Sequence, residues 1–174
     1  PVELVLAKSS LVGDVIWTKQ YLVPGYNRLV ARAVVATSTG YFMVANLYDP
    51  AQGFNFGLLL KTNKLGDIEW AKKLGISGKN IVQNVMERNG FLYLTIASDS
   101  YAPNELLLLK LDQEGNTNTG CDFLQYITVQ SIDLVKVQDS RNYTVNQEGP
   151  TNITINSTPK PTSIQKVVHC NTPC

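Results

Sequence analysis

Leu6-Ala-Lys8-Ser-Ser-Leu-Val-Gly13-Asp14-Val-Ile-Trp17-Thr-Lys19 recurs, without a gap, as Leu59-Leu-Lys61-Thr-Asn-Lys-Leu-Gly66-Asp67-Ile-Glu-Trp70-Ala-Lys72, 53 residues further on. A third copy, Leu108-Leu-Lys110-Leu-Asp-Gln-Glu-Gly115-Asn116, follows 49 residues later, with Thr119 where the tryptophan should stand. Between these anchors, Ala36-Thr-Ser-Thr-Gly40-Tyr41-Phe42 answers Met86-Glu-Arg-Asn-Gly90-Phe91-Leu92, and Tyr48-Asp49-Pro50 answers Tyr101-Ala102-Pro103. A period of about 50 residues is the mark of a repeat architecture.

Within a unit the apolar pattern is short and broken by turn residues, which reads as four strands and no helix. In the middle unit the strands are expected over 56–62, 68–74, 81–87 and 92–97. Gly66-Asp67 joins the first pair. Asn89-Gly90 is a tight-hairpin signal, because both turn positions must tolerate positive φ. The expected fold is all-β: antiparallel meanders of propeller-blade size, with Trp17 and Trp70 filling the space between neighbouring sheets. The blade-like part is expected over 1–120, with units anchored at Trp17, Trp70 and a degenerate third at Gly115. A separate β segment is expected over 121–174.

The pattern Leu-Leu-x-Lys-x-x-x-x-Gly-Asp-x-x-Trp-x-Lys, followed by Gly-Tyr-Phe or Gly-Phe-Leu, resembles the repeats of secreted prokaryotic cell-surface proteins with β-propeller-like blades. The likeness covers residues 3–120. It implies that Lys110-Leu-Asp-Gln-Glu-Gly-Asn116 runs through Gly120-Cys121 into a C-terminal β segment ending in another cysteine, here Cys170 or Cys174. It implies a fold and says almost nothing of activity. Two full units and two partial ones depart from a closed propeller, which needs about four blades. Open sheet edges are therefore expected, and such edges template pairing with another chain.

The strand Val2-Glu-Leu4-Val-Leu6-Ala sharpens this expectation, because its remaining blade partners would precede Pro1. It is expected to find its sheet either in later strands of its own chain or at the open edge of a neighbouring subunit by β-strand addition. Repeated head to tail, the second arrangement is non-closing and generates filaments. Val2, Leu4 and Leu6 are thus the candidate assembly residues.

Composition agrees with an extracellular β protein. The 174 residues carry a net charge of +1, with 17% charged residues against the roughly 25% of an average soluble domain. That balance argues against a nucleic-acid partner or an anionic membrane surface. The least charged stretch, 33–48, is too short and too interrupted to insert into a bilayer as a helix. The chain opens at Pro1 without Met, charged leader or apolar run, so its start is either a processed mature terminus or a boundary within a longer chain, and export is not read from it. Asn142-Tyr-Thr, Asn152-Ile-Thr and Asn156-Ser-Thr are three glycosylation acceptors in a Thr/Asn/Ser/Pro-rich stretch, which points to secretion. With three cysteines, Cys121 is expected to bond Cys170 or Cys174 and to close a loop of about fifty residues.

Few residues offer chemistry. His169 is the single histidine, and beside Cys170 it has no third group to complete a thiol–imidazole site. Asp14 and Asp67 occupy the same place in successive units and read as turn residues. Asp112-Gln-Glu-Gly-Asn116-Thr-Asn118 is rich in oxygen ligands but lacks the spacing of a calcium loop, so it too reads as a turn. Tyr21, Tyr26, Tyr41, Tyr48 and Tyr101 could line a sugar-stacking face, although aromatic residues on a β scaffold more often fill the core. Lys8, Lys61 and Lys110 recur with the repeat and are expected to face solvent. No metal site and no cofactor is expected.

The expected function is that of a non-enzymatic, secreted structural glycoprotein. It would be a self-associating subunit of an extracellular filament or surface assembly, joined by β-strand addition of its N-terminal strand. The alternative is a monomeric carbohydrate- or surface-binding β module.

Overall fold

A computed structural model describes residues 3–117 and 121–134. It contains eleven strands: β1 (Leu4–Ser9), β2 (Val15–Leu22), β3 (Arg28–Ala36), β4 (Gly40–Asp49), β5 (Phe54–Asn63), β6 (Ile68–Leu74), β7 (Asn80–Arg88), β8 (Phe91–Ser98), β9 (Glu105–Leu111), β10 (Leu124–Tyr126) and β11 (Gln130–Asp133). All pairings are antiparallel. The strands form three open sheets: a first of order β1-β2-β11, a central one of order β10-β6-β5-β4-β3, and a third of order β7-β8-β9. Among the described residues no sheet closes into a ring, and no helix is long and apolar enough to cross a membrane.

The sheets stack with the five-stranded one in the middle. One of its faces, through Met43, Ala45, Leu47, Leu58, Leu60 and Ala71, packs on Leu4, Tyr21 and Val23 of the first sheet and the chain leaving it. Its other face, through Phe42, Val44, Leu59 and Leu74, packs on Val82, Val85, Leu92, Leu94, Ile96, Leu109 and Leu111 of the third sheet. This explains the sequence of each strand. β4 and β5 are covered on both faces, so Phe42–Leu47 and Phe56–Leu60 are almost continuously apolar and buried. β8 is covered on one face, and its buried Leu92, Leu94 and Ile96 alternate with the half-buried Tyr93, Thr95 and Ala97.

The four strands expected as one meander in the middle unit are divided between two sheets. β5 and β6 belong to the central sheet, β7 and β8 to the third; the four-stranded meander that forms is β3 to β6. The crossing lies at Gly75–Asn80. Gly75 and Gly78 adopt positive φ, and the buried Asn80 donates to the carbonyls of Ser77 and Gly78 and accepts from the hydroxyls of Ser98 and Ser100. Those bonds fasten the turn before β7 to the end of β8, its neighbour in the third sheet.

Beyond Cys121 the chain returns to the sheets already built. β10 adds to the edge of β6, and β11 to the edge of β2. Phe123, fully buried, anchors the passage in the core between the central and third sheets.

Candidate functional site

Three hairpin turns share one hydrogen-bond pattern. The amides of Ser10, Asn63 and Asp112 donate to the carbonyls of Asp14, Asp67 and Asn116, and the amides of Gly13, Gly66 and Gly115 donate to the carbonyls of Ser10, Asn63 and Asp112. Each glycine has positive φ, between 73° and 91°, a region that costs a side-chain-bearing residue free energy. The strand pairs that these first two turns join carry the same β-bulge, opposite Lys8/Ser9 and Lys61/Thr62. A second bulge recurs between Ala31 and Ala33 and between Val82 and Asn84.

The turns are seats for the strand of the sheet before them. The Trp17 ring lies against Gly66, where an added Cβ would stand 3.0 Å from it, and Trp70 lies against Gly115, where the distance would be 2.5 Å. Lys19 donates to Asp67 at 2.7 Å. Lys72 donates to Asn116 Oδ1 at 2.7 Å and to the Gly115 carbonyl at 2.8 Å. Trp-x-Lys on β2 therefore grips the turn after β5, and Trp-x-Lys on β6 grips the turn after β9. The Tyr21 hydroxyl adds a 2.8 Å bond to the Gly66 carbonyl.

The electrostatics follow from this geometry. Lys19 also pairs with Asp133 at 2.8 Å, and its side chain is only 11% exposed. Hydrogen bonds that it donates to Asp133 and then Asp67 hold its ammonium well above the ordinary lysine value, against the opposing effect of burial. The Lys19 bond, followed by that from Asn63, holds the Asp67 carboxyl below its usual value. Burial pushes the Tyr21 phenol up to about 12.

The Gly13–Asp14 turn has no such gripping strand among the described residues. Nothing lies within 4 Å of a Cβ placed on Gly13, and Leu11 and Val12 at its tip are exposed. β1 pairs with β2 on one side and, among the described residues, has no strand on the other. Leu4 is buried in the core and Leu6 packs against it, while Val5 on the opposite face is about half exposed, at 49%. Val2 lies outside the described residues.

The outer face of the third sheet is open as well. Leu106 and Leu108 on β9 are 75% and 69% exposed, and Met86 on β7, across β8 from them, is exposed as well. The signal for this surface was in the sequence: Leu106–Leu109 is apolar without alternation, like Leu58–Leu60 of β5, yet among the described residues only one of its faces is covered.

Among the other sequence candidates, Cys121 is disulfide-bonded, and the Tyr101 hydroxyl lies 3.9 Å from its sulfur. Cys170, Cys174, His169, Asn118, Asn142, Asn152 and Asn156 lie outside the described residues. Asp112 spends its carboxylate inside its turn, accepting from the amides of Glu114 and Asn116. Among the described residues no cluster of three or more His, Cys, Asp or Glu side chains could hold a metal ion. The five tyrosines do not share a face: Tyr21 is in the core, Tyr41 meets Trp17 edge-on at 5.9 Å, and Tyr101 stacks on Phe123. Lys61 is not a solvent-facing residue either, since its side chain is mostly buried against Phe42 and pairs with Glu69 at 2.9 Å.

A cleft of about 310 Å³ opens between the first and central sheets, lined by Leu6, Lys8, Trp17, Val34 and Tyr41. The Trp17 indole N–H is buried without a hydrogen-bond partner among the described residues. Comparison with protein-family models, curated proteins and solved structures finds no match to this chain.

Proposed function

We propose that this chain is a non-enzymatic structural subunit, secreted and glycosylated at Asn142, Asn152 and Asn156, which self-associates into an extracellular filament or surface layer. It is a run of blade-like units of about 50 residues. The recurring turns, bulges and Trp-x-Lys grips support that reading. The observation that carries the function is the edge of β1, which no strand among the described residues pairs and which presents a row of backbone donors and acceptors to an incoming strand.

Amide exchange tests this directly. In an antiparallel pair, alternate amides of an edge strand point away from its partner. Those amides of β1 should exchange fast in dilute protein and slowly in assemblies. Equal exchange in both states would sink the strand-addition role.

The cleft beside Trp17 favours a second reading, a carbohydrate- or surface-binding module acting as a monomer. A saccharide stacked on Trp17 and accepting from its N–H would shift tryptophan emission saturably, and Trp17→Phe would abolish most of the shift. A monomer at high concentration that shows this titration would displace the structural reading.

A further inference from the structure

We infer that copies of this chain stack face to face, the outer face of the third sheet of one copy on the outer face of the first sheet of the next. This rests on the proposal that the chain self-associates, and adds to it the surfaces that meet. The argument starts from the contacts already inside the chain. Leu4 and Leu6 face the central sheet. Leu59, 53 residues after Leu6, faces the third sheet in the same sense. Leu108, 49 residues after Leu59, stands at the corresponding place in the third sheet and meets no sheet among the described residues. The opposite faces run in parallel. Leu107 and Leu109 pack back on the central sheet, Leu58 and Leu60 pack back on the first, and Val5 and Ala7 have no sheet behind them among the described residues.

Each internal interface thus joins the forward face of one sheet to the backward face of the next, and the described residues end with one uncovered face of each kind. Both carry exposed apolar side chains: Met86, Leu106 and Leu108 on the two outer strands of the third sheet, either side of Tyr93, Thr95 and Ala97, and Val5, Ile16 and Ile132 on the first, with Gln20 between Val5 and Ile132. A second copy supplies the missing mate for each. The β9 run Leu106–Leu109 is the sequence of a strand covered on both faces, and stacking would cover it so. Because the two faces differ, the contact is heterologous and propagates.

The test uses two full-length variants. Leu108→Glu blocks the third-sheet face and leaves the first-sheet face intact; Val5→Glu does the reverse. Both positions are exposed, so circular dichroism and melting should match the wild type; Ile16→Glu replaces Val5→Glu if that chain fails to fold. By sedimentation velocity, wild-type mass should rise with concentration, and each variant alone should need roughly tenfold or more concentration to associate, since the contact would bury an unpaired carboxylate. An equimolar mixture of the two should give dimers and nothing larger, because each has one good face. A wild type that stays monomeric overturns the inference, as does a variant that assembles normally by itself. If the wild type assembles and protects the β1 amides while the mixture remains monomeric, strand addition stands and face stacking falls.

Discussion

Lys19 and Lys72 are the residues that tie one sheet to the next. Each is largely buried, and each places its ammonium on a turn more than forty residues away. Truncating Lys19→Met should destabilise the fold by about 1–3 kcal/mol in urea titrations, the usual range for losing charge-assisted hydrogen bonds. Asp67 supplies the pH dependence. Its folded carboxyl titrates below the ordinary value of 3.8. The pair's contribution is therefore complete above that value and disappears as pH falls through the lower folded one. Lys19→Met should flatten that acid limb. Tyr21 has the opposite sign, with a folded value of about 12 against an ordinary 10. Its stabilisation is complete below pH 10 and is lost as pH rises toward 12. Melting curves between those limits should show the loss, and Tyr21→Phe should remove the alkaline dependence at a cost of about 1–2 kcal/mol from the abandoned Gly66 carbonyl.

The turns test the same contacts at the scale of elements. Gly13, Gly66 and Gly115 share a positive φ but not their surroundings. Gly13→Ala should cost only the backbone strain, about 1 kcal/mol. Gly66→Ala should cost more, because its Cβ would press on the Trp17 ring, and Gly115→Ala most, because Trp70 is closer still. Overpacking of this kind adds about 1–3 kcal/mol. Chemical-denaturation midpoints should fall in that order, and equal costs would refute the grip.

Much at this scale was legible in the sequence. The strands expected over 56–62, 68–74, 81–87 and 92–97 form within about two residues of those bounds, because alternation and glycine turns are local. One correspondence was off by a residue. Gly40 and Gly90 match in sequence, yet the ladders pair Ala36 with Tyr41 and Arg88 with Phe91. Gly90 therefore sits in a turn, whereas Gly40 sits in a strand where a Cβ would strike the Thr62 carbonyl. A glycine conserves nothing about why it is needed.

At the scale of the molecule, the two cores share the central sheet. Leu58 points into one and Leu59 into the other, both fully buried. Leu58→Ala and Leu59→Ala should each cost about 2–5 kcal/mol, as buried leucine truncations do. Leu108→Ala, the repeat's third counterpart of Leu59, should leave the dilute protein within about 0.5 kcal/mol of wild type. A large loss at Leu108 in dilute protein would show that its face is already covered within one chain. The grouping of strands into sheets was not legible. The edge of β6 that β7 might have paired is taken instead by β10, with Leu124 opposite Leu74, and such long-range pairing leaves no periodicity behind.

By itself, then, the sequence determined the all-β class, the strand positions, the turns and the recurrence of Trp-x-Lys with Gly-Asp, since these depend on neighbours a few residues apart. Tertiary structure alone decided three things: where the sheets divide, which turn each Trp and Lys would grip, and which apolar faces would stay open. Those outcomes depend on free energy gained only when residues 43 to 49 positions apart are brought into contact, and no local pattern encodes which of several similar faces will meet.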